Sequence, residues 1–493
     1  MRHAVSCAAL AVLLAGATAL AFFSGGFFDE PRAWGGLCSW LLVAIALVLE
    51  PRALPRSREA WLAIGGLALL AGWTLLSMTW APIRGSAYHA GQIVMLYLGA
   101  LLASALLLRG RGAQRAVEPA LAAGALIVIG YGISERLLPG LLHFQRSLDA
   151  LGRLEQPLTY WNAMGELAAL GLVLSARIAG DVARKTWLRA AAAAASGALG
   201  MGLYLSFSRG ALFACVAGLV TLVVLVRRRE QLAAVLVIVA AGGLAAVAAA
   251  PFKALTSLAG THATRERDGA IVFALLALIV VGAALGQAWL ARRERPGELK
   301  LPRRAPLVAL VAICTGLALA IVVGAKEKSG GSIGAGASRL VTLQSNRYNY
   351  WRVAMRAFRS EPVRGVGAGG WAVWWLRYRP NREFAQDAHS LPIQTLAELG
   401  VVGLALLAAF LAGIGLVGRS AYRYAPALAA GRIAGFVVWV AHAPLDWDWQ
   451  MPALTLVAIV LAGALIALAE PSRAPEQEAA WIVEPALPVH VRT

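Results

Sequence analysis

Unbroken apolar runs of about 17 to 25 residues fall near 4–23, 33–49, 60–78, 88–108, 117–134, 160–176, 187–206, 210–226, 231–251, 269–291, 306–325, 393–418, 425–445 and 450–469. Each run is close to the ~20 residues that carry a helix across a bilayer, and none has the ~10-residue alternation of a membrane β-barrel. The pattern predicts an all-α, polytopic integral membrane protein with about 12–14 transmembrane helices. It divides the chain into eleven membrane helices over 1–325, a large loop over 326–392, three further helices over 393–469 and a disordered cytoplasmic tail over 470–493. The first run is long and has many equals after it, so it reads as a retained helix rather than a cleaved signal peptide.

Composition sharpens this picture. Hydrophobic residues make up 59% of the chain and charged residues 14%, against about 25% charged in soluble proteins, which excludes a soluble globular domain. The net charge of +19 concerns sidedness here and not nucleic acid. One set of loops carries Arg52, Arg56 and Arg58, then Arg109, Arg111 and Arg115, then Arg177, Arg184, Lys185 and Arg189, then Arg227 to Arg229, then the run from Arg292 to Arg304. The positive-inside rule assigns that set and both termini to the cytoplasm. The loop 326–392 on the opposite face is nevertheless basic, with eleven Lys and Arg against four acids. Long loops translocate regardless of charge, but such cation density also suits an anionic ligand, most simply a lipid phosphate or diphosphate. Cys7, Cys38, Cys215 and Cys314 lie inside apolar runs without CxxC spacing, so neither disulfide nor metal is expected.

Several polar constellations interrupt the pattern. SFSRGALFACVAGL at 206–219 joins two spans by a short turn and pins Arg209 at the outer boundary; the bland alternative is a snorkelling anchor. SNRYNYWRVAMRAFRS begins an amphipathic helix in which Arg347 and Arg352 accompany Tyr348, Trp351 and Met355, and such a helix suits a membrane surface. GVGAGG at 365–370 is a close-approach turn and not a dinucleotide fingerprint, because no strand precedes it. In DAHSLPIQTLAELG, Ser390 and Pro392 signal a helix start. His389 therefore stands where the positive end of a helix dipole favours a neutral imidazole able to accept a proton. Glu398 lies about two turns further on the Gln394 face, at a depth that is costly for an acid unless it is paired or wet. HAPLDWDWQMP at 442–452 concentrates His442, Asp446 and Asp448 between interface tryptophans, with carboxylates able to meet sugar hydroxyls. RLEQPLTYWNAMGELAAL at 153–170 places Asn162 and Glu166 in an outer half-span, as a substrate wall or as helix packing.

SRG at 208–210, the Arg347/Trp351/Ala354 helix, EPVRGVGAGGW at 361–371 and HSLPIQTLAELGVVG at 389–403 together resemble the O-antigen ligase and O-antigen polymerase superfamily. The resemblance runs from about Tyr160 to Pro452. It implies a metal-independent, cofactor-free membrane glycosyltransferase that uses a polyprenyl diphosphate-linked glycan on the outer, periplasmic face of the cytoplasmic membrane. Its acceptor would be a glycan, a lipid, or a protein or wall polymer. The family's diphosphate-binding arginines map onto Arg209 and Arg347, its histidine onto His389 as activator of the acceptor hydroxyl, and its acid onto Glu398. Chemistry agrees: a lipid diphosphate needs cations to stabilise developing charge, here Arg209, Arg347 and Arg265, and a base for the hydroxyl proton. Arg352, Glu398, Gln394 and Asp446 would support the substrate. No carboxylate has a convincing nucleophile motif, so direct displacement with inversion is the simpler expectation. The rivals are a polymerase of the same superfamily and a flippase for a lipid-linked glycan, the latter expected to show internal repeats and charges near the midplane.

Overall fold

The computed structural model describes residues 2–50, 54–145, 147–293, 297–326 and 346–470. Each of the fourteen apolar runs forms a helix: α1 (Arg2–Ala21), α2 (Asp29–Leu49), α3 (Arg58–Leu76), α4 (Arg84–Leu107), α5 (Arg111–Leu137), α6 (Trp161–Gly180), α7 (Thr186–Ser206), α8 (Arg209–Val226) and α9 (Arg229–Ala249). The short α10 (Lys253–Thr256) precedes α11 (His262–Arg293) and α12 (Ala305–Lys326). Two helices, α13 (Arg347–Ser360) and α14 (Gly370–Tyr378), fold within the large loop before α15 (Leu391–Tyr424), α16 (Pro426–His442) and α17 (Pro452–Ala469). Among the described residues, twelve helices are long and apolar enough to cross a membrane, and α16 is a shorter apolar helix of 17 residues. The expected tail beyond Glu470, and the segment 327–345 of the expected loop, lie outside the described residues.

The core sits around α6 and α17, which are buried along nearly their whole length. Helices α3 and α15, α6 and α7, α8 and α16, and α2 and α4 pack side by side around them. Small residues permit the close approaches: a methyl on Gly413 of α15 would stand 2.4 Å from the Ala63 backbone nitrogen of α3. Such contacts replace the hydrophobic drive that lipid removes.

The two ends of the bundle differ. At one end the basic loops are tied down by backbone carbonyls and acids. Arg432, fully buried, donates to Gln114 O at 2.7 Å and Ala464 O at 3.2 Å, and Arg184 pairs with Glu118 at 3.1 Å. There Glu470 accepts from the Arg56 and Ser57 backbone nitrogens at 3.0 and 2.8 Å, joining the end of α17 to the start of α3. At the other end α13 and α14 fold over the bundle with an apolar cluster of their own, in which Tyr350, Trp371 and Trp375 meet Ala388 and Ala397 of the α15 entry. Trp371 and Trp375 stack at 5.6 Å, and Tyr350 meets Trp375 edge-on at 4.8 Å. The large loop is thus a packed cap as well as an amphipathic surface helix.

The main departure from the expected helices is in α15. Gly400 adopts φ 67°, ψ −165°, so this 34-residue element is two helices joined across a break. The glycine-rich segment fills it: Val366 N donates to Ala397 O at 3.0 Å, Gly367 N to Glu398 O at 2.8 Å, and Val401 N donates to Pro362 O at 3.0 Å. Trp73 Nε1 donates to Leu399 O at 3.0 Å. Opened backbone groups at this depth must find partners inside the protein, and 362–367 supplies most of them. A methyl on Gly365 would lie 2.3 Å from the Glu398 carbonyl carbon, and Gly365 itself has φ 72°.

Candidate functional site

Arg347, the first residue of α13, turns inward while the rest of the helix's cations turn out. Its Nη2 lies 2.7 Å from Asp446 Oδ2, in the segment between α16 and α17. Asp446 is fully buried and saturated: Tyr160 Oη donates to Oδ1 at 2.7 Å, Asn162 Nδ2 to Oδ2 at 2.7 Å, and Trp447 N to Oδ1 at 3.0 Å. Burial alone would raise this carboxyl, but Arg347, with His389, His442 and the Tyr160 hydroxyl, outweighs it and holds Asp446 below the ordinary carboxylate range. In this structure the Asp446 oxygens meet Arg347, Tyr160, Asn162 and the Trp447 backbone nitrogen, which makes it a support for Arg347.

His389 sits in a left-handed conformation, φ 54°, two residues before α15. That backbone state is costly for a residue with a side chain and is held here by its surroundings. Gln394 donates to Asp387 Oδ1 at 3.0 Å and accepts from Ala388 N at 3.1 Å, while Leu391 N donates to Ala443 O at 2.9 Å. The first two of these bonds tie the Gln394 side chain to the turn that carries His389. The imidazole Nδ1 lies 2.9 Å from Asp387 O. A carbonyl only accepts, so Nδ1 carries the proton in that bond and Nε2 is left as the basic nitrogen. The ring is half-buried between Tyr350, at 5.0 Å, and Trp447, at 6.3 Å. Burial pushes the neighbouring Asp387 carboxyl up, against the opposing effects of Gln394 and His389.

Glu398 lies one turn below Gln394, buried, and accepts from Trp371 N at 3.2 Å. It faces a cavity of about 40 Å³ shared with Gln394, Thr395, Trp447 and Trp449, large enough for a water. Glu398 thus ties the cap to α15 immediately above the break. Trp449 is buried, its carbonyl accepting from Tyr97 Oη at 2.7 Å, rather than lying at a lipid interface.

The SRG turn comes to the same segment from the other side. Phe207 ends α7 in a left-handed conformation, Ser208 caps α8 by accepting from Ala211 N at 3.2 Å, and Arg209 opens α8 half-buried. A methyl on Gly210 would stand 2.9 Å from His442 Nε2. The structure also gathers Glu166, His442 and Asp448, all buried, into one group whose spacing in sequence gives no ligand motif. The expectation of no metal-ligating cluster therefore needs amending: these three could hold an ion geometrically. The signal was present in the two polar constellations at 153–170 and 442–452, but nothing in sequence joined them.

Two further expected residues lie on other faces and elements. Arg352 is exposed on α13, opposite the buried Tyr350, Val353 and Ala354, and does not join the Asp446 group. Arg265 is on the first turn of α11, next to Glu266, which packs on Gly140 of the 135–159 loop. That loop encloses a separate cavity of about 330 Å³ lined by Glu135, Arg136, Arg153, Glu155 and Ser257.

A family model described as O-antigen ligase matches residues 252–408. The match takes in Arg265, Arg347, Arg352, His389, Gln394 and Glu398 but neither Arg209 nor the 442–448 segment. No curated protein matches the chain. The match supports the O-antigen ligase and polymerase superfamily. With the helical bundle it supports a multi-pass membrane glycosyltransferase of ligase or polymerase type.

Proposed function

We propose that this chain moves a glycan from a polyprenyl diphosphate carrier to an acceptor hydroxyl on the outer face of the cytoplasmic membrane, as an O-antigen ligase does, with inversion and without a metal. The observation that carries this reading is the convergence of the inward-turned Arg347, the His389 turn and the SRG turn on the single segment 442–448. Arg347 and Arg209 stabilise charge on the departing diphosphate. Asp446 anchors one edge of the Arg347 guanidinium, and 23% of that side chain remains exposed for a ligand. His389 Nε2 takes the proton of the acceptor hydroxyl. The oxygen then attacks the anomeric carbon as the bond to the diphosphate breaks, and the diphosphate leaves with the electron pair. Glu398 and Gln394 position the cap and the His389 turn.

The test is turnover by the purified full-length chain in nanodiscs, supplied with a polyprenyl diphosphate-linked glycan and an acceptor glycan. The reading expects release of polyprenyl diphosphate with one product of inverted anomeric configuration. A retained anomer, or hydrolysis without transfer, would overturn it.

A further inference from the structure

The fully buried Glu166 of α6, His442 at the end of α16 and Asp448 in the turn that follows have no place in the reaction above. A single atom joins them: His442 Nδ1 lies 2.7 Å from Asp448 Oδ2 and 2.8 Å from Glu166 Oε2. Nδ1 hydrogen-bonds to Asp448, and Glu166 Oε2 lies within ion-pair distance of the same nitrogen. One nitrogen of His442 thus holds both acidic side chains together. Separations of 2.7 and 2.8 Å are within hydrogen-bond distance.

A second, independent observation says what the triad supports. The turn carrying Arg209 is wedged between the two helices that the triad ties together. On the α6 side, a methyl on Gly165 would stand 2.5 Å from Ser206 Oγ and 3.0 Å from Ser208 Cβ; on the α16 side, a methyl on Gly210 would meet His442 Nε2 at 2.9 Å. Glu166 follows Gly165 directly. The socket walls and the ionic tie are therefore at one level of the bundle.

We propose that the Glu166, His442 and Asp448 triad is a positioning device that fixes the socket of the Ser206–Gly210 turn and thereby aims Arg209 at a lipid diphosphate. This rests on the donor reading above. Together with Asp446, which holds Arg347, it makes the 442–448 segment the common frame for both arginines.

The test measures binding of unglycosylated polyprenyl diphosphate to the full-length chain in nanodiscs, alongside its divalent metal content. His442→Gln and Glu166→Gln are each expected to weaken binding about 10-fold or more. In the Arg209→Ala background His442→Gln should add no further loss, because residues acting through one partner are non-additive. Gly210→Ala, which keeps all three triad residues but crowds the turn against His442, should weaken binding similarly, and it decides the matter if a triad variant fails to fold. Unchanged affinity in Gly210→Ala and the triad variants, or losses that multiply with Arg209→Ala, would overturn the positioning role. So would a stoichiometric metal ion in the wild type that His442→Gln loses. Absence of binding by the wild type would instead overturn the donor reading.

Discussion

Arg347 and Asp446 are 99 residues apart in sequence and 2.7 Å apart in space, and this ion pair fastens the α13–α14 cap to the helical bundle. Asp446 has no exposure at all and Arg347 has 23%, so the acid works as an anchor while the base still reaches outward. The pair lies within a shell of Tyr160, Asn162 and Trp447, which satisfies the remaining carboxylate positions. An unpaired buried charge is expensive, which is why such a pair is sensitive to loss of either member.

Replacing Asp446 by Ala is expected to destabilise the protein by about 3 kcal/mol, the low end for breaking a buried pair because Arg347 keeps some solvent. The pH dependence has a definite sign. Asp446 is held below its ordinary value of 3.8, so its contribution is fully present above that value and is lost only as pH falls through the lower folded value. The stability difference between wild type and Asp446→Asn, measured by denaturation in detergent, should stay flat from pH 7 to about pH 4 and close only below it. Closure at pH 5 to 6 would show that Asp446 is not held by Arg347.

Arginine chemistry gives a second expectation. Alanine at Arg209 or Arg347 should cost roughly 100-fold in transfer, the scale for removing a transition-state donor. Lysine should restore only part of that loss, because it lacks the planar fork. Rates of polyprenyl diphosphate release in the two lysine variants check this, and full recovery would reduce both residues to point charges.

The break in α15 predicts a structural phenotype. A methyl on Gly400 would stand 2.1 Å from Val363 O at a positive φ, so Gly400→Ala must both strain the backbone and expel 362–367 from the break. Lower thermal stability is expected, with new protease sensitivity in the cap. Gly415 of the same helix has open space around it, and Gly415→Ala should leave both properties unchanged.

Hydropathy made the bundle legible: every apolar run became a helix, with boundaries shifted by a few residues. The cationic cap, Arg347 and the position of His389 before a helix start were also readable, because local charge and capping residues define them. The break at Gly400 was not, since its partners come from Pro362 to Gly367 and from Trp73, and a glycine in an apolar run carries no sign of which backbone will approach it. The partners of Asp446 were not legible for the same reason: its contacts with Arg347, Tyr160 and Asn162 are long-range. Arg352, five residues after Arg347, falls on the exposed face of its helix, which the amphipathic pattern alone does not distinguish from a site-facing position.

Turnover is expected to persist in excess chelator, since the proposed step needs only arginines and a base. Loss of transfer in chelator, restored by magnesium or manganese, would contradict this and would direct attention to Glu166, His442 and Asp448, the grouped ligand atoms among the described residues.

The most direct test of the account is the separation of binding from transfer at His389. His389→Gln keeps the size and hydrogen-bonding character of the side chain but removes the basic nitrogen. The wild type and this variant, purified at full length in nanodiscs, should bind the polyprenyl diphosphate-linked glycan with the same affinity. Transfer in the variant should fall by about 100- to 10,000-fold, the range of a general base. Transfer at the wild-type rate by correctly inserted His389→Gln would contradict the account and move the proton acceptor elsewhere.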